Sequence, residues 1–214
     1  VDAEAFSRWF LAIFFVVVAL FYTVTITIKK HSAGASPVSF GRRGTRHWLI
    51  HTTFRVFRVL ILLVCLIRLP YPRLDAYLVP ITSLWLPAIL LFGNTVMLIS
   101  FVGLIWLHGV MGSHWRSGIP PGEVHPLITT GPFAWSRNTM FLLVQAAQLG
   151  FFLSLPSLFT LICLIVGVAA IHAQERLEER HLEATHGTEY ARYRERVPRW
   201  LSGRRSGRAR KKNA

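Results

Sequence analysis

The stretch 139-TMFLLVQAAQLGFFLSLPSLFTLICLIVGVAAIHAQERLEERHLEATHGTEYARYRER-196 decides how this chain is built. It opens with two short apolar stretches, about 139–155 and 157–172, separated by 154-SLPS-157. Pro156 cannot continue a helix and marks the turn of a tight helical hairpin. The second stretch then meets no breaker, so it is predicted to run on into a charged helix over 173–196. An apolar hairpin leading directly into a polar helix is the pattern of a chain leaving a bilayer.

Further apolar runs precede the hairpin. The first, 10-FLAIFFVVVALFYTVTITI-28, is uniformly apolar, with aromatic residues near both ends as interfacial anchors. A second span is expected from about Trp48 to Leu69, and a third over roughly 81–108 with an irregular start. Pro87 and Gly93 are expected to kink the third. About 20 apolar residues cross a bilayer, and these runs approach or reach that length. Hydrophobic content of 52% and mean hydropathy of +0.43 agree. The expectation is all-α: an integral membrane helical bundle of about five transmembrane helices with a cytoplasmic C-terminal helix. Residues 1–202 are read as one domain, with its motif-bearing half at 109–201. Cys65 and Cys163 both sit in apolar runs and read as packing residues.

The formal charge of +14 is unevenly placed, with twelve of the 24 Lys and Arg falling in residues 175–214. The loop 29-KKHSAGASPVSFGRRGTRH-47 is also strongly basic. Five spans put this loop, the loop 109–138 and the C-terminus on one side, which the positive-inside rule makes cytoplasmic. The tail 203-GRRSGRARKKNA-214 reads as disordered, suited to anionic lipid headgroups. It has no interleaved aromatics, so no nucleic-acid partner is expected. Residues 1–9 carry Asp2 and Glu4 before Arg8, unlike the basic start of a cleaved leader.

Chemistry concentrates in two polar segments beside apolar runs. In 175-ERLEERHLEATHG-187, Glu175, Glu178, Glu179 and Glu183 recur at helical spacings of three and four. Arg176 and Arg180 are placed to relieve them through i,i+3 pairs to Glu179 and Glu183. Such a face is either a solvated, salt-bridged surface or an anionic site for a cationic ligand. In 125-HPLITTGPFAWSRN-138, Gly131 and Pro132 make a turn. Arg137 is suited to a carboxylate, and His125 and Asn138 offer both donors and acceptors. There is no Walker sequence, no GxGxxG after a strand, no CxxC set and no HExxH, so metal catalysis and phosphate-loop chemistry have no support. Arg55 and Arg58 lie within the second span, three residues apart. They either snorkel to the interface or hold an anionic group of a substrate.

The order of these features resembles the superfamily of isoprenylcysteine carboxyl methyltransferases and phospholipid N-methyltransferases. Gly112 with Trp115, His125 with Leu127, the run Thr130, Gly131, Pro132 and Phe133, and Arg137 with Asn138 carry the first half of the likeness. Glu178, Glu179, Leu182, Gly187, Tyr190, Tyr193, Val197, Pro198 and Arg199 carry the second. The likeness covers residues 109–201. Phe133 stands where the family has Tyr, Thr139 where it has Pro, Phe141 where it has Tyr, and His186 where it has an aromatic residue.

The resemblance implies S-adenosylmethionine as cofactor and a hydrophobic or lipid-like methyl acceptor. His125, Leu127, Gly131, Pro132, Phe133, Arg137, Asn138, Glu178 and Glu179 are the expected cofactor residues. Arg137, Asn138 and His125 are the expected catalytic ones. Arg55, Arg58 and Trp115 are expected to meet the acceptor. Leu127, Phe133 and Trp135 are candidates for an adenine slot. Two other readings stand beside this one: a sterol-reductase-like membrane enzyme binding NADPH, and a non-enzymatic adaptor binding anionic lipid through its tail.

Overall fold

The computed structural model describes residues 2–33, 38–39, 41–112, 115 and 126–201. His125 and the tail 203–214, with the readings placed on them, lie outside the described residues. The chain forms α1 (Ala3–Ala33), α2 (Arg46–Ile67), a short α3 (Leu74–Tyr77), α4 (Pro87–Met111), α5 (Thr139–Ser154), α6 (Leu158–His186) and α7 (Thr188–Arg196). No strand occurs among the described residues; Pro80 and Ser157 make one isolated bridge.

Four helices are long and apolar enough to cross a membrane: α1, α2, α4 and α6. At 16 residues, α5 is shorter, spanning about 24 Å against the ~30 Å of a hydrocarbon core. The expectation of about five membrane helices therefore resolves into four of full length and one short apolar helix. Large apolar side chains such as Ile13, Leu20, Ile99, Trp106 and Ile165 point outward from these helices. In water that surface would drive aggregation; against lipid it costs nothing.

Local chemistry sets the boundaries. The first helix starts well before the apolar run, at Ala3, where Asp2 accepts the backbone N–H of Glu4 at 3.0 Å. Thr45 caps α2 by accepting from the Trp48 N–H. The irregular start of the third span is a 3-10 turn, Thr82–Leu84. Pro87 does not kink α4 but begins it, in the first turn where its missing N–H has no partner to lose. Gly93 likewise serves packing. A Cβ there would sit 2.5 Å from the Ser154 backbone nitrogen, so α4 and α5 approach at a distance only glycine permits.

The hairpin turn is as the sequence predicts. Ser157 and Thr160 cap α6 reciprocally. The Pro156 carbonyl accepts from the Ile81 N–H at 3.0 Å and the Trp85 indole at 2.6 Å, which ties the turn to the start of α4. The charged helix is not continuous over 173–196. It stops at His186, and Gly187 at φ +47° turns the chain into α7. That left-handed backbone is strained for any residue with a Cβ, and it lets α7 fold back beside α6.

The N-terminal ends of α1, α4 and α6 meet at one end of the bundle. Ser7 donates to the Asn94 side chain and to the Ser154 carbonyl there. Asp75, on the short α3, pairs with Arg8 at 2.9 Å and with Arg68. Between the ends lies a core of Leu11, Phe14, Cys65, Met97, Phe101, Phe151, Leu155 and Cys163. Both cysteines are free and buried, as expected of packing residues.

Asp75 gives the bundle an acid dependence. Burial alone raises its carboxyl pKa, but hydrogen bonds and charge from Arg68 and Arg8 outweigh burial and hold it below the ordinary 3.8. The unfolded chain therefore binds the proton more tightly. The stabilisation is fully present above pH 3.8 and is lost as pH falls through the lower folded-state value. The melting temperature in detergent should fall on acidification through that window. Asp75→Asn, which lacks the charge at every pH, should be less stable at neutrality and lose that part of the acid dependence.

Candidate functional site

At the other end of the bundle, three pieces of chain converge. A 3-10 turn, Gly131–Ala134, leads through Ser136, Arg137 and Asn138 into α5. The polar extension of α6 brings its carboxylates alongside. Past α7, residues 197–199 run back across both. The Arg137 N–H donates to the Pro198 carbonyl at 3.1 Å, and the Ser136 hydroxyl donates to the Arg199 carbonyl at 2.9 Å.

The side chains form a charge network in that frame. The Arg137 guanidinium donates to Glu179 at 2.8 Å, to the Tyr190 hydroxyl at 3.0 Å and to the Val197 carbonyl at 3.1 Å. Asn138 donates its amide to Glu175 at 2.7 Å. Arg199 lies 3.0 Å from Glu175 and 2.5 Å from Glu179, joining the two carboxylates. Its hydrogen bonds to Glu179 raise its pKa further. Tyr193 donates to the Phe133 carbonyl at 2.7 Å, which locks α7 onto the 3-10 turn. Burial pushes the Tyr193 phenol up to about 12, so it stays a neutral donor. Tyr190 is raised by burial first and by Glu179 second.

Inside this end lies a cavity of about 350 Å3, walled mainly by aromatic and aliphatic side chains of α1, α2, α4, α5 and α6. Small-molecule sites occupy roughly 300–1,000 Å3. Of the residues expected from sequence, Phe133, Arg137, Asn138, Glu178, Trp115 and Arg58 reach its wall. Trp115 is 3% exposed and stacks against His108 at 4.6 Å. Lys29 lies over its ring and donates to the Gly112 carbonyl.

The others lie elsewhere. Glu179 turns to Arg137 and Arg199 and is not part of the cavity wall. Leu127 packs on Tyr190, Tyr193 and Val197. Pro132 is buried beneath Thr139, whose hydroxyl donates to its carbonyl, while Gly131 is exposed. Arg55 is exposed on α2 and off the cavity wall, since three residues along a helix is a rotation of about 300° and not a full turn. Trp135, expected beside an adenine slot, is 67% exposed and is not part of the cavity wall. The pairs expected between Arg176 and Glu179 and between Arg180 and Glu183 are not made. Glu179 has the two partners just named, and Glu183 pairs with Arg194 at 3.2 Å.

Glu178 differs from its neighbours. It faces the cavity, and among the described residues its side-chain partner is the Gln174 amide, at 2.8 Å, with no cation beside it. The Gln174 and Gln148 amide oxygens, also on the wall, are buried without a hydrogen-bond partner. One carboxyl and two unmatched acceptors therefore lie on the wall of a largely apolar cavity that also carries Arg58, Arg137 and Asn138, and the unmatched acceptors favour a ligand that brings hydrogen-bond donors. Among the described residues no group of three metal-ligating side chains exists. Sequence reasoning placed Glu175 in the acidic face and Arg199 in the family likeness, and gave no site role to Gln148 or Gln174. Spacing put Glu175 and Arg199 in the right segments but not in contact with Asn138 and Glu179.

No family model matches the chain, and neither the curated proteins nor the solved structures contain a match.

Proposed function

We propose that this protein is a membrane-embedded methyltransferase that uses S-adenosylmethionine and acts on a hydrophobic or lipid-like acceptor. One observation carries the reading. Glu178 is a carboxylate without a cationic partner, set in an apolar cavity large enough for a small molecule. Ionising a buried carboxyl that has no counter-charge is costly, and a ligand cation offsets that cost. The resemblance of residues 109–201 to the membrane methyltransferases supports the same reading. So does the contact between their two motif segments through Arg137, Glu179, Asn138 and Glu175.

When bound, S-adenosylmethionine would supply an electrophilic methyl on a sulfonium. Glu178 would balance the ligand's positive charge, held in place by the Gln174 amide. The unmatched oxygens of Gln174 and Gln148 would accept from its donors. Phe133 and the aromatic wall would exclude water. Aligned contact in a dry site suffices for in-line displacement, and no covalent enzyme intermediate is needed. Arg137 would act mainly by fixing the segment 133–138 against α6. The basic loop 29–47 and the basic tail argue that this end of the bundle faces the cytoplasm. Arg58, on the cavity wall, would meet the polar part of an acceptor arriving from lipid.

Titration of the purified protein with S-adenosylmethionine, S-adenosylhomocysteine and NADPH tests the proposal. Saturable binding of the first two and none of the third is expected. Binding of NADPH alone would point to a reductase, and binding of none of them to an adaptor.

A further inference from the structure

A second cleft, of about 370 Å3, lies between the first turns of α2 and the polar extension of α6. Arg46, Arg176 and Arg180 line it together with Leu49, Ile50 and Leu177, and no carboxylate contributes to its wall. The sequence suggests that the two α6 arginines are consumed by neighbouring glutamates, but tertiary packing has removed those partners. Residues 174, 175, 178 and 179 turn toward the methyl-transfer cavity and its network, and residues 173, 176, 177 and 180 turn toward α2. Helix α6 thus sorts its charges by sign onto two faces. Among the described residues, none of the three arginines makes a side-chain hydrogen bond or ion pair.

Three positive charges around one cleft repel. Arg46 adds to this because it occupies the first turn of α2, where the helix dipole is also positive. An anion between them would relieve both terms. The floor is apolar, with Leu49 exposed and Ile50 buried beside it, and both flanking helices are of membrane-spanning length and composition. A ligand with an anionic head and an apolar body matches this wall; a wholly soluble anion leaves the leucines uncovered.

We propose that this cleft binds the phosphate of an anionic membrane lipid, with its acyl chains along Leu49 and Leu177. It is separate from the methyl-transfer cavity and does not depend on that assignment. Arginine forks match phosphate oxygens, and each such charge near a bilayer surface contributes about 1 kcal/mol toward an anionic lipid.

The test uses the full chain in nanodiscs of phosphatidylcholine containing a small fraction of phosphatidic acid, with bound lipid counted by native mass spectrometry after release. Wild type should retain phosphatidic acid over phosphatidylcholine. The double variant Arg176→Gln/Arg180→Gln should lose that preference by about tenfold or more, and Arg46→Gln by less. A control pair with the same charge change, Arg42→Gln/Arg192→Gln, should retain it. In lipid-free detergent no variant should melt below wild type, since among the described residues the three arginines make no side-chain hydrogen bond or ion pair and their charges repel. Undiminished retention in the double variant, or equal loss in the control pair, would overturn the site. Displacement of the lipid by millimolar inorganic phosphate would overturn its assignment to a lipid.

Discussion

Arg137→Ala is expected to cost the fold about 2–4 kcal/mol and to abolish measurable cofactor binding. The guanidinium joins three pieces of chain: Glu179 on α6, Tyr190 on α7 and the Val197 carbonyl in the segment that returns past α7. Truncation leaves a poorly exposed carboxylate with Arg199 as its remaining charged partner, and leaves the Val197 carbonyl without its side-chain donor. Breaking a buried pair from one side costs more than the pair contributes, because the surviving charge stays desolvated. Arg199 moderates the loss, which is why the estimate sits below the upper range for such pairs. Arg137→Lys should recover only part of it, since an ammonium cannot span three acceptors that a planar fork reaches. Thermal melting in detergent reads the stability, and calorimetric titration with S-adenosylhomocysteine reads the binding. An unchanged melting temperature would mean that this network does not hold α7 and residues 197–199 to the bundle.

Glu178→Gln should have the opposite profile. Glutamine keeps the size of the side chain, and its carbonyl oxygen still accepts from Gln174. It removes a negative charge that has no internal cation. Stability should therefore hold or rise slightly. Affinity for S-adenosylmethionine should drop by about 10- to 100-fold, the loss of one charge-assisted interaction of about 1.5–3 kcal/mol. Glu179→Gln provides the contrast. Its carboxylate faces Arg137 and Arg199, so its loss should lower the melting temperature more than the affinity. Binding of wild-type strength in Glu178→Gln, together with a large loss in Glu179→Gln, would move the cation site from the cavity wall to the network.

The sequence marks Glu178 and Glu179 as an equivalent pair, and packing separates them. One residue along a helix is a rotation of about 100°, enough to put Glu178 in the cavity and Glu179 against Arg137. The same geometry divides Arg55 from Arg58. Helical spacing alone names neighbours on a face but not what that face meets. For this reason Arg176 and Arg180 look neutralised by nearby glutamates in the sequence and make no ion pair among the described residues. Trp135 is a further case. Its place in the motif suggests a slot wall, but the 3-10 turn rotates it outward and leaves Phe133 inside.

Elements governed by short-range rules were legible. Apolar length and Pro156 act within a few residues, so the helical hairpin and the membrane-length helices followed from composition and order. The convergence of residues 126–138 with 175–199 was readable only as adjacency to the same end of the bundle. The network itself needed a break at Gly187, where the charged helix stops and α7 folds back.

By itself the amino-acid order determined that the chain is all-helical, where its long apolar helices fall, and which two polar segments flank them. Those properties arise from hydropathy, helix length and backbone breakers, each set by near neighbours. Only the tertiary structure decided which carboxylate is left without a counter-charge, which arginines are left without partners, and where the cavity between the helices opens. Those depend on the rotation of each helix about its axis, which is fixed by packing across the bundle, as at Gly93 against Ser154 and Gly167 against Gln148.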